Sequence, residues 1–137
     1  MPRLLSTLIC EDLLTNPDGA LSLYRAVFKR QISAVFPAQL RCLYVVTIWL
    51  SQDHTVGEEV DQRVLILSPD KTTALYDCFG KVRLAGDQLV SFANRFQWLV
   101  WPAPGVYWVR VLNGTQPMGD DVPLVIEQEP PLTGGQP

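Results

Sequence analysis

His54 is the only histidine in the chain, so a nucleophile–base pair of the Ser-His-Asp or Cys-His kind has to use it. It stands in Ser51-Gln52-Asp53-His54-Thr55-Val56-Gly57-Glu58-Glu59, a polar stretch with acids on both sides. A catalytic imidazole needs a buried, oriented setting, and this stretch reads as a solvated loop instead. Asp53, Glu58, Glu59 and Asp61 carry the oxygen donors a hard cation takes. They lack the fixed alternation of a calcium loop, so solvated edge charge accounts for them, as it does for Asp120-Asp121. Gly80-Lys81 is no phosphate loop: Leu75 stands where the first Gly belongs and Val82 where the Ser/Thr belongs. Cys10, Cys42 and Cys78 have no metal-ligand spacing. The expectation is no catalytic residue, no metal and no cofactor.

The four tryptophans carry more information. Trp98 shares the inward face with Phe96 and is placed in the core on a strand reading. Trp108 alternates with inward Tyr107 and Val109, so it is expected to face outward beside Arg110. Trp101, just before Pro102-Ala103-Pro104, is expected to be partly exposed. An exposed Trp pair stacks on a sugar ring or anchors a protein interface. Trp101, Trp108 and Arg110 are therefore the candidate partner-binding residues, with a carbohydrate-binding module as the minor variant.

Composition bounds the rest. The 137 residues suit one domain, and 47% apolar against 18% charged residues excludes a disordered chain. Eleven basic against fourteen acidic residues gives a net charge of −3, which leaves no electrostatic footprint for nucleic acid. Three cysteines are too few, and odd in number, for a disulfide scaffold. The apolar stretch Leu43–Leu50 is far short of a membrane span. The N-terminal stretch, with one basic residue and about seven mostly apolar positions, is at the lower limit of a signal-peptide core. Acidic residues follow instead of a small-x-small cleavage site, so a cytoplasmic protein with reduced thiols is expected.

Turn signals recur at Asn16-Pro17-Asp18-Gly19, Phe36-Pro37, Ser68-Pro69-Asp70-Lys71, Ala85-Gly86-Asp87, Pro102-Ala103-Pro104-Gly105 and Asn113-Gly114. Between them lie runs suited to half-buried strands: 43–50 (apolar on both faces, hence central), 63–67, 90–100, 107–111 and 124–126. Asn94 interrupts the apolar side of the third run. Strands at this spacing predict an all-β antiparallel sandwich of about 7–8 strands over residues 1–127. Residues 128–137 read as a flexible Pro/Gly-rich tail; its Gly134-Gly135 is read as composition, not as a processing signal. Leu21, Tyr24, Phe28, Ile32 and Val35 also fit a helical face, so a short helix within 20–35 stays open beside a strand from Leu21 to Phe28.

The order of these signals resembles a family of small bacterial proteins of unknown function. The matching pieces are Cys10-Glu11-Asp12, Asp18-Gly19, Leu21-Ser22-Leu23, Phe36-Pro37-Ala38, Gly105-Val106-Tyr107, Asn113-Gly114 and Pro123-Leu124-Val125-Ile126. The resemblance implies a single immunoglobulin-like sandwich, favours the strand reading of 20–28, and brings no catalytic residues. Arg25-Ala26-Val27-Phe28-Lys29-Arg30 is longer and more basic than the family's short strand and loop, which keeps a helical 24–34 open.

The functional expectation is a non-catalytic module for protein–protein interaction or self-association. The alternatives are a structural subunit of a larger assembly, such as a shell or phage-like particle, in which sandwich edges or the tail lock neighbours together, and a hydrolase using His54.

Overall fold

The computed structural model describes residues 2–17, 21–26, 29–33, 35–51, 56–85 and 89–128. Among these residues ten strand segments follow one another: β1 (Arg3–Thr15), β2 (Leu21–Ala26), β3 (Lys29–Ser33), β4 (Ala38–Leu50), β5 (Val56–Leu67), β6 (Ala74–Ala85), β7 (Leu89–Trp101), β8 (Gly105–Asn113), β9 (Gln116–Pro117) and β10 (Val122–Gln128). There is no helix among the described residues, and the helical reading of 20–35 gives way to β2 and β3.

The strands form two packed sheets. Sheet A has the order β2-β1-β4-β7; sheet B has the order β3-β10-β8-β5-β6, with the two-residue β9 on β8. Pairing is antiparallel throughout except between β3 and β10, which run parallel. The run 43–50, apolar on both faces, lies in a strand flanked on both sides, and so does 63–67. Two turns show their chemistry directly. Gly114 (φ 62°) follows Asn113 at the β8–β9 hairpin, in the left-handed region that glycine adopts without a Cβ clash. Between β5 and β6, Asp70 Oδ1 accepts from Ser68 Oγ (2.6 Å), Thr72 Oγ1 (2.8 Å) and Thr72 N (3.1 Å), and the Lys71 N–H closes on Ser68 O at 2.8 Å.

The core lies between the sheets, built from Ile9, Leu43, Val45 and Trp49 of sheet A and Val64, Ile66, Val109, Leu124 and Ile126 of sheet B, among others. A polar ladder crosses it. Gln62 on β5, fully buried, accepts at Oε1 from Thr47 Oγ1 and Trp49 Nε1, both at 2.6 Å. Its Nε2 donates to Asn94 Oδ1 at 2.5 Å, and Asn94 Nδ2 donates to Cys78 Sγ at 3.3 Å. Asn94 interrupts the apolar side of β7 because it is the far rung of this ladder. Buried polar groups need partners, and these five residues supply one another across both sheets.

Strand β6 is the element that the spacing of apolar runs does not reveal. Its inward positions are Tyr76, Cys78, Gly80, Val82 and Leu84, opposite Ile66, Val64, Gln62, Val60 and Glu58 of β5. Gly80 is there for space: a Cβ at this position would lie 2.5 Å from the Phe92 ring of β7.

In sheet A the inward phase changes once on each of two paired strands. On β4, Leu43, Val45, Thr47 and Trp49 point to the core, whereas beyond Arg41 it is Leu40 and Ala38. On β7, Asn94 and Phe96 point inward, then Leu99 and Trp101. The change falls at Trp98, whose φ of 55° lies in the left-handed region. Pairing register is kept on both sides, Leu40 with Leu99 and Cys42 with Gln97, so Arg41 and Trp98 face each other at the switch. This overturns two expectations. Trp98 is outside the core, 58% exposed, and Trp101 is not on the surface but fully buried.

Candidate functional site

The acidic loop does not assemble a catalytic or metal centre among the described residues. His54 and its neighbours 52–55 lie outside them. Glu58 Oε2 accepts from Ser51 Oγ at 2.6 Å, and Glu59 pairs with Arg83 at 3.0 Å across β5 and β6. No group of three or more metal-ligating side chains forms among the described residues. A cleft of about 360 Å³ is lined by Asp61, Gln62, Phe79, Gly80 and Lys81. That is the lower end of small-molecule sites, and the Gln62 side chain in its wall is already engaged in the ladder.

The sequence-predicted partner residues separate. Trp101 packs in the core against Tyr107, ring centroids 4.8 Å apart, and Tyr107 donates its hydroxyl to Ala103 O at 2.6 Å. Trp108 and Arg110 do lie together on the outer face of sheet B, but in a closed cluster. Lys71 Nζ sits 4.3 Å from the centroid of the Trp108 ring. The same ammonium reaches Asp121 at 2.8 Å, and Arg110 holds Asp121 with both Nε (2.9 Å) and Nη2 (2.8 Å). The Arg110 guanidinium first, then Lys71, holds the Asp121 carboxyl down to about 2. A two-pronged Arg–carboxylate bond of this kind has fixed geometry and little left to offer a partner.

The outer face of sheet A is arranged differently. Along β7, Arg95, Gln97, Trp98 and Val100 are all exposed, and opposite them on β4 stand Gln39, Arg41 and half-buried Tyr44. Arg41 lies over the Trp98 ring at 6.0 Å from its centroid. Strands β4 and β7 together contain two arginines and no acidic residue, in a chain of net charge −3. At the β7 edge, the Tyr76 hydroxyl of β6 accepts from Val100 N at 2.6 Å, which ties the edge strand down beside the strip. The result is an aromatic strip with two arginines on β4 and β7 and its largest side chain turned to solvent.

Alternation alone misses Trp98, because period two from Phe96 puts it inside. The only local sign is the crowding of apolar residues in Phe96-Gln97-Trp98-Leu99-Val100-Trp101, too many for one inward face at period two. The chain matches no protein-family model, and no curated protein is significantly similar to it in sequence.

Proposed function

We propose that the protein is a non-catalytic binding module that takes an extended, acidic protein segment on the outer face of sheet A, around Trp98. The observation that carries this reading is a tryptophan held out to solvent on a left-handed backbone. A bulky residue with positive φ is disfavoured, and such conformations persist where the surroundings impose them, often at binding sites. Exposed Trp and Arg are the side chains that dominate interface energetics, and truncating such an anchor costs about 2 kcal/mol or more. The two arginines without an acidic neighbour on their strands select a negatively charged ligand.

The experiment is selection of a random nonamer peptide library on the wild type, with Trp98→Asn as the counter-selecting protein. The expected yield is acidic peptides with an apolar or proline residue to lie on the indole. Peptides that bind both proteins equally, or no enrichment at all, overturn the reading.

A further inference from the structure

Resting on that reading, we infer that the segment the strip takes is supplied by a second copy of this chain: residues 129–132, Glu129-Pro130-Pro131-Leu132. The composition suits the part of the strip around Trp98. Consecutive prolines favour the extended polyproline II form, whose flat ring faces dock on aromatic side chains with little ordering cost. Trp98 supplies the aromatic surface for the prolines, Val100, two residues along β7, the apolar contact for Leu132, and Arg41, which faces Trp98, the charge for Glu129.

Geometry decides which copy supplies it. Strand β10 pairs Ile126 with Gly105, the residue that opens β8 after the 102–104 turn, so Gln128 leaves sheet B at the end where β7 stops. Pro131 is three residues beyond Gln128 and reaches at most about 10 Å from it. The sheets lie about 10 Å apart, and Trp98 stands a further three residues, about 10 Å, up β7 from the turn, on the far side of sheet A. A chain cannot lay its own Pro130-Pro131 on its own Trp98, whereas a neighbour's is under no such limit. The contact joins two different surfaces, so copies can exchange segments in a closed dimer, close into a ring or continue from copy to copy.

The test uses the full chain throughout, with sedimentation over a range of concentrations. Three proteins are compared: the wild type, the face variant Trp98→Asn, and the segment variant Glu129→Lys/Pro130→Ala/Pro131→Ala. The wild type is expected to gain mass with concentration, and each variant to associate at least about tenfold more weakly. A one-to-one mixture of the two variants restores one good face and one good segment. It is expected to form heterodimers and stop there. A wild type that stays monomeric, a segment variant that associates like the wild type, or a mixture that fails to pair overturns the inference. If one of these results accompanies Trp98-dependent selection from the peptide library, the segment assignment falls and the binding face stands. If Trp98→Asn selects the same peptides as the wild type, both fall.

Discussion

Two tryptophans on opposite faces of the sandwich are presented to solvent in contrasting ways. Trp108, on sheet B, is half-buried under Lys71, whose ammonium is fixed by Asp121, which in turn is gripped by Arg110. Trp98, on sheet A, is more than half exposed and has only the Arg41 guanidinium at 6.0 Å over its ring. Each stands beside an arginine, but among the described residues it is the sheet B arginine that grips a carboxylate. An aromatic–cation pair with its own counter-ion is part of the fold. The same pair without one has unspent hydrogen-bonding and electrostatic capacity, and that is what a binding surface consists of.

The contrast is sharpest three residues along β7, where Trp101 is fully buried. Trp101→Ala is expected to cost about 3–5 kcal/mol in urea unfolding, the range for emptying a large aromatic from a core. Trp101→Phe is expected to cost far less, about 1 kcal/mol, because it also removes an Nε1 donor that has no partner among the described residues. A Trp98→Ala loss as large as that of Trp101→Ala would erase the distinction between anchor and core.

The next effect concerns the closed face. Asp121 sits at about 2, against a usual 3.8, so the unfolded chain binds the extra proton between those values. Its stabilisation is complete above pH 4 and is lost as pH falls from 4 towards 2, amounting to about 2 kcal/mol. Asp121→Asn should remove about that much at pH 7 and flatten the acid limb of a stability–pH curve. The slope that remains there belongs to Asp70, which its Ser68 and Thr72 donors also hold at about 2. The same variant releases Lys71 from Trp108, so acrylamide quenching of Trp108 should rise towards that of Trp98. Unchanged quenching would mean that the two faces do not differ for the reason given.

Much of the sandwich was legible because its signals are local. Alternation in 107–111 and 124–126, the two-faced apolar run at 43–50, the strand run at 63–67, and the Asn113-Gly114 turn are each specified by residues next to one another. What was not legible depended on partners distant in the chain. Gly80 interrupts the pattern of β6 for the sake of Phe92, twelve positions on. Asn94 is polar at an inward position because Gln62 waits on the other sheet. The phase change at Trp98 is a backbone event opposite Arg41, and period two carried through it exchanges the places of Trp98 and Trp101. Trp98, expected inside, therefore stands in solvent, and Trp101, expected near the surface, is buried.

The smallest expected change in stability is the one with the opposite sign. Trp98 holds φ at 55°, a region that costs a bulky L-residue of order 1 kcal/mol and that asparagine enters far more readily. Its side chain is mostly in water, so little burial is lost on replacement. Trp98→Asn is therefore expected to leave thermal stability unchanged or raise it by up to about 1 kcal/mol, while removing the anchor of the strip. Trp108→Asn, where the ring is half-buried and carries Lys71, should instead lower stability by about 1–2 kcal/mol. A residue whose removal improves the fold is retained for something other than the fold, and in this molecule the pair of substitutions separates that residue from its counterpart on sheet B. Were Trp98→Asn to destabilise as much as Trp108→Asn, the left-handed backbone would be a packing requirement of the Arg41 corner, and the reason to place function there would be gone.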